Sequence, residues 1–252
     1  MIQTQAKLGP EASPRAMGIL LFLTLLNILN MVDRTLITSF GTAIIADLRL
    51  SDSQFGLLTG PIFVFFYSIM GLFMGALADR VHRPRLILVG LVLWSALTAV
   101  SGMAKSFAHI GIARLFIGVG ESAMAPSALS MIADMFPKAK RGTATGIYYL
   151  GVPLGAGGSF IVAGIFGPII GWRNCFFVLG ALGLLLALVL LLIKDPKRGA
   201  MEERHAVTEG DQAEDLVSGN WRRVVVDVYL VVKSTPALLW TMIGAVFLHI
   251  PM

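Results

Sequence analysis

The chain has 252 residues, 56% of them hydrophobic and 14% charged, with a mean hydropathy of +0.79 and a formal net charge of +5. Soluble domains carry about 25% charged residues, so this composition excludes a soluble globular protein and indicates a membrane protein. A single cysteine, Cys175, excludes an intrachain disulfide framework and a cysteine-ligated metal site.

A membrane-spanning helix needs about 20 predominantly apolar residues. Residues 1–16 form a polar tail, and the apolar run from Ala16 to Val32 shows no small-residue cleavage site. Spans are expected over 17–46, 54–77, 86–104, 108–133, 143–168 and 174–193, with a seventh beginning near Pro236. The chain stops at "FLHIPM" inside that seventh segment, as expected for a fragment of something longer. Residues 194–235 read as a charged cytoplasmic linker. Its end, about 220–233, places Trp221, Val224, Val225, Val228 and Val232 at helical spacing, which predicts an amphipathic helix on the membrane surface. The valine content leaves an extended segment as the alternative.

Loop charges set the orientation. Arg80, Arg83 and Arg85 follow span two, Lys138, Lys140 and Arg141 follow span four, and Lys194, Lys197, Arg198 and Arg204 follow span six. The opposite side carries only Arg49, Lys105 and Arg173. Positive loops stay cytoplasmic, so the N-terminus is expected inside, in a cell (inner) membrane. The alternation holds only if 17–46 crosses once, which puts Asp33 inside one long helix.

That first helix contains "NILNMVDRTL", in which Asn27, Asn30 and Arg34 share a face and Asp33 lies about 100° round from Arg34. Span four contains "ARLFIGVGESAMAP", in which Arg114 and Glu121 are two turns apart on one face, about 10 Å along the axis. Ionisable groups at membrane depth face a bundle interior or a cavity and pair with one another. One reading is structural ion pairs that hold helix register. The other is a polar substrate cavity with coupling groups, because carboxyls held out of water favour the neutral form and suit proton carriage. Span five, "GIYYLGVPLGAGGSFIVAGIFG", is a small-residue helix bent at Pro153, serving close packing or a hinge. No GxxxxGK[ST] phosphate loop, GxSxG elbow or metal-spaced His/Cys/Asp cluster is present, so no enzyme chemistry and no cofactor is expected.

"GALADRVHRPR" resembles the signature loop of the major facilitator superfamily, with His82 and Pro84 departing from its usual glycine and basic residue. "ARLFIGVGE" resembles its helix-four pattern, with Ile117 where glutamine is usual. "NMVDR", "ADRVHRPRLI", "ARLFIGVGESAMAP", "YYLGVPLGAGG" and "DPKRG", in that order, are similar to Spinster-type transporters. The resemblance implies an all-α membrane fold of twelve helices, with 17–193 as the N-terminal six-helix bundle of 3+3 inverted repeats. It also implies a C-terminal half as partner. It places Asp33, Arg34, Arg114 and Glu121 in a central cavity and Gly75, Asp79, Arg80, Arg83 and Asp134 at a cytoplasmic gate. Arg34 and Arg114, with Asn27 and Asn30, would bind an anionic head group, and Asp33 and Glu121 would carry the coupled proton. The expected function is a proton-coupled transporter of a lysophospholipid or sphingoid phosphate. A small organic anion such as a sugar acid is the alternative cargo, and a scaffold or membrane-embedded enzyme the alternative class.

Overall fold

The computed structural model describes residues 13–201, together with Ser234 and Ala237. The expected surface helix over 220–233, most of the 194–235 linker and the seventh span lie outside the described residues, which contain helices and no strand.

Helix α1 runs Pro14–Ser39 and continues, after a break at Phe40, as α2, Gly41–Leu48. It starts where it does because Ser13 accepts a hydrogen bond from the Ala16 amide and Pro14 occupies the first turn. Arg49 ends α2 in the left-handed conformation at φ 53°. A reciprocal Ser51–Gln54 capping box then opens α3, Asp52–Thr59. Gly60 and Pro61 separate α3 from α4, Pro61–Ala78. Helix α5 spans Arg83–Ser101, α6 spans Phe107–Glu121 and α7 spans Met124–Met135, the α6–α7 break falling directly after Glu121.

Helix α8, Lys138–Tyr149, passes into α9, Gly151–Ile161, at Leu150. Pro153 lies just beyond this break and cannot donate to the carbonyl of Tyr149, so the discontinuity sits where the missing bond puts it. A π-helical turn, Val162–Phe166, joins α9 to α10, Gly167–Leu190. The helical run Lys138–Leu190 has 53 residues, about 80 Å at 1.5 Å per residue, far more than one crossing of a roughly 30 Å hydrocarbon core. Gly171 divides it, with φ 78° and ψ 159°, a conformation that glycine adopts without a Cβ clash.

Small residues set the distances between these helices. A Cβ on Gly155 would lie 2.5 Å from the carbonyl oxygen of Ile28 and from Met31, so α9 presses directly on the α1 backbone. A Cβ on Gly120 would lie 2.9 Å from the Gly90 carbonyl oxygen, and one on Gly180 2.5 Å from that of Ser95. Helix α5 is thereby clasped by α6 on one side and α10 on the other. Gly118 brings α4 against α6 at Phe63 and Tyr67. Lipid tails are as apolar as leucine, so close packing and interhelical hydrogen bonds, rather than water exclusion, hold such a bundle. Leu20, Leu23, Leu26, Leu36, Ile87, Leu91 and Trp94 fill the interior, and Cys175 is buried there as a free thiol.

Gly155→Val is expected to destabilise the purified protein by about 1–3 kcal/mol through overpacking, read as a lowered melting temperature in detergent. Gly157→Ala, where nothing stands within 4 Å, is expected to leave it unchanged or raise it.

Candidate functional site

Helix α1 carries Asn27, Asn30, Asp33 and Arg34 into the interior, and all but Arg34 are buried. The pairing is across helices rather than within them. Arg34 donates through Nε and Nη2 to the same oxygen, Oε2 of Glu121, at 3.1 and 2.9 Å. The Glu121 side chain has no exposure and that of Arg34 keeps 26%. Two turns of α6 hold Arg114 too far from Glu121 for a direct bond, and its Nη2 instead donates to the backbone oxygen of Arg34 at 2.6 Å. Asp33 accepts from the hydroxyl of Thr98 on α5 at 2.8 Å.

Aromatic rings complete the arrangement. The Arg34 guanidinium sits 4.8 Å from the Phe63 ring centroid and 4.4 Å from that of Tyr67, and the Arg114 guanidinium sits 4.6 Å from Phe63. Such cation–π contacts contribute about 2 kcal/mol when desolvated. A cleft of about 220 Å³ opens beside the pair, lined by Asn27, Asn30, Met31, Arg34, Tyr67 and Glu121, with Met124, Tyr148, Tyr149 and Val152 beyond. Neither Arg114 nor Asp33 lines it. Four buried polar atoms here have no hydrogen-bond partner among the described residues: Asn30 Nδ2, Asp33 Oδ2, Arg114 Nε and Glu121 Oε1. Asn27 is occupied, donating to the Tyr148 carbonyl oxygen at 2.9 Å.

The expected cavity residues therefore come together, with two corrections. Arg114 lies behind Arg34 instead of beside it on the cleft wall, because its reach is spent on the α1 backbone. Asp33 likewise stands off the cleft wall, bonded to Thr98, and it is Glu121 that pairs with Arg34. Phe63, Tyr67 and Thr98 are additional members. Phe63 and Tyr67 lie one turn apart in "PIFVFFYS", a spacing that also suits a lipid-facing helix, so only the approach of α4 to Gly118 distinguishes them.

A second polar cluster lies at one end of the bundle. Arg83 is fully buried. It pairs with Asp134 and Asp195 and donates to Ser130 Oγ at 2.9 Å and the Pro196 carbonyl at 2.6 Å. The Gly199 amide donates to Asp134 at 2.9 Å, and Arg198 donates to the carbonyls of Ala78 and Val81. The "DPKRG" segment thus locks onto the α4–α5 loop and the end of α7. Asp79 and Arg80 lie exposed at the end of α4, and the cluster around Arg83 is built without Asp79. A Cβ on Gly75 would meet no neighbouring helix within 4 Å, so that face of α4 is not closely packed within this bundle. Trp172 and Arg173 meet Asp47 at the other end, where Arg173 also donates to the carbonyls of Gly102 and Ala104.

The Major Facilitator Superfamily model matches residues 23–252. The chain belongs to the major facilitator superfamily. Within it the chain is Spinster-like. It is 30% identical over 195 residues to protein spinster of Drosophila melanogaster, covering 77% of this chain and 32% of that protein. It is 28% identical to an MFS-type efflux pump of Mycolicibacterium smegmatis, covering 84% of this chain and 47% of the relative. The crystal structure of a bacterial homolog of the human lysosomal transporter Spinster, inward-facing and unoccupied, is 36% identical, with a TM-score of 0.67 over 75% of this chain and 45% of that one. The chain spans about a third to a half of the length of these relatives. Major facilitator superfamily members are multi-pass membrane transporters, and the apolar helices found here agree with that architecture.

Removing one partner of a buried ion pair costs about 3–5 kcal/mol. Asp195→Asn is therefore expected to lower the melting temperature by several degrees, whereas Asp52→Asn, on the exposed first turn of α3, is expected to leave it within error.

Proposed function

We propose that this bundle is the N-terminal half of a proton-coupled secondary transporter that works by alternating access and moves an amphipathic anionic lipid, such as a lysophospholipid or sphingoid phosphate. The observation that carries this reading is Arg34, a cation at membrane depth that is paired on one side by Glu121 and open on the other to a cleft. A guanidinium binds phosphate or carboxylate in a planar, bidentate fashion. Stacking on Phe63 and Tyr67 holds it in place. Asn30 offers an unused donor beside it, while Met31, Met124 and Val152 offer apolar walls to a tail.

In this mechanism the substrate anion and the carboxylate of Glu121 compete for Arg34. A proton taken up by Glu121 weakens its hold on the guanidinium and frees it for the anion; release of the proton restores the pair and expels the anion. Asp33 shares the acidic load as a second buried carboxyl, and Arg114 adds positive charge from behind. The charged cluster of Arg83, Asp134 and Asp195, with Gly75, Asp79 and Arg80 on the surface facing the C-terminal half, serves as the cytoplasmic gate. Positive loops keep the N-terminus in the cytoplasm, in a cell (inner) membrane. A relative described as a sphingosine-1-phosphate transporter in Danio rerio, 30% identical over 70% of this chain, supports the lipid cargo.

A small organic anion is the second reading. The polar lining of Asn27, Asn30 and three tyrosines favours it, and a hexuronate transporter of Bacillus subtilis is 27% identical over 75% of this chain.

Proteoliposomes holding the full-length protein test the coupling: Glu121→Gln is expected to abolish the dependence of transport on a pH gradient, and an unchanged dependence refutes the proton role. Binding of a lysophospholipid and of a hexuronate to detergent-purified protein tests the cargo. Arg34→Ala is expected to weaken binding of the true substrate about 10- to 100-fold, the worth of a charged hydrogen bond, with Arg34→Lys in between. Binding of the hexuronate alone decides for the second reading.

A further inference from the structure

Thr98 lies on α5, a helix that contributes nothing to the lining of the cleft. Its hydroxyl oxygen stands 2.8 Å from Asp33 Oδ1 and 2.9 Å from the carbonyl oxygen of Trp94, one turn back on its own helix. Both neighbours are acceptors, yet a hydroxyl has one proton to donate. The two bonds are therefore alternatives. A bond to an ionised carboxylate is about twice as strong as one to a neutral acceptor, so an ionised Asp33 holds the hydroxyl proton. A protonated Asp33 becomes a donor itself; a proton on Oδ2 serves the neighbouring Glu121 carboxyl, whereas a proton on Oδ1 goes to Thr98 Oγ1. The hydroxyl proton then swings to the Trp94 carbonyl, the ordinary back-bond of a threonine in a helix.

We propose that Thr98 is a positioning residue for the Asp33 carboxyl, a hydroxyl switch through which α5 registers whether α1 carries a proton. This rests on the reading of Asp33 as a proton-carrying group. No proton leaves Thr98 in either state; one O–H bond rotates and the acidic proton stays on Asp33.

The packing makes the switch stiff. Thr98 is buried. Helix α5 is held against α6 at Gly90 and Gly120 and against α10 at Gly180 and Gly183, so its hydroxyl cannot retreat from Asp33 without parting those backbones. The other groups facing Asp33 are Glu121 and Arg114 of α6, with Arg34 adjacent on α1. Neither arginine donates to Asp33: Arg34 is taken by Glu121, and Arg114 by the α1 backbone. Oδ2 of Asp33 has no partner among the described residues. Glu121, a carboxyl itself, bonds to Asp33 only when one of the two is protonated; Thr98 is thus the hydroxyl donor to the charged form, and its loss leaves that form with no donor while Glu121 is ionised.

The test is an infrared pH titration of the full-length protein in nanodiscs, with carboxyl-labelled aspartate to separate its carbonyl band from that of glutamate. The wild type is expected to show a protonated-aspartate band that Asp33→Asn removes. Thr98→Val, which keeps the shape and deletes the donor, is expected to move the midpoint of that band up by about one pH unit, because a bond favouring the charged form is gone. Thr98→Ser is expected to titrate as the wild type, and Thr98→Ala provides a second hydroxyl-free variant if the valine does not fold. An unmoved midpoint in Thr98→Val and Thr98→Ala, or an equal shift in Thr98→Ser, overturns the switch while leaving Asp33 as a proton site. A band that Asp33→Asn does not alter overturns the proton reading of Asp33, and the switch with it.

Discussion

The bundle depends on one constraint: a guanidinium at membrane depth must find its partner inside the protein. An unpaired charge in hydrocarbon costs several kcal/mol, so α1 can present Arg34 only where α6 presents Glu121. That pairing sets the rotation of α1 against α6. It also determines what the next residues do. With Arg34 turned toward Glu121, Asp33 points to α5 and meets Thr98, and the Arg34 carbonyl becomes the acceptor for Arg114. The aromatic rings of α4 then cover the guanidinium because Gly118 lets α4 approach α6. Four elements are oriented by one ion pair and its immediate consequences.

Much of this was legible in the sequence, and the division follows from the range of each signal. Apolar runs report span positions directly, so the helical segments fall close to where hydropathy puts them. The acids and bases of α1 and α6 stand out because ionisable residues are rare at depth. Their partnerships were not legible. Helical spacing joins Arg114 to Glu121 on one face, but two turns are about 10 Å, beyond hydrogen-bond reach, so each must bond to another helix. Which helix depends on three-dimensional packing that no local pattern encodes. Phe63, Tyr67 and Thr98 were missed for the same reason: an aromatic or threonine at helical spacing has the same pattern whether it faces lipid, core or a charge.

The "DPKRG" segment shows a related ambiguity. By composition it opens a solvated linker, and its charges count among the positive loop residues. In the folded chain Asp195 neutralises a buried arginine, and Arg198 and Gly199 close hydrogen bonds to α4 and α7. Charge counting treats Arg83 as one more loop cation. Its burial among two carboxylates makes it a fastening that ties the chain after α10 to the ends of three other helices.

The helices are not held equally. Helices α1 and α6–α7 are enclosed, α5 is gripped by glycine seams on two sides, and α3–α4 keeps little of its surface buried. The packing within this half is therefore uneven: dense along α1–α9 and α5–α10, and on α4 closest at the Gly118 seam. The least covered wall is also the one whose aromatic rings rest on the Arg34 guanidinium. The cation at the centre of the bundle is thus in direct contact with the helix that has the most surface left to offer a further partner.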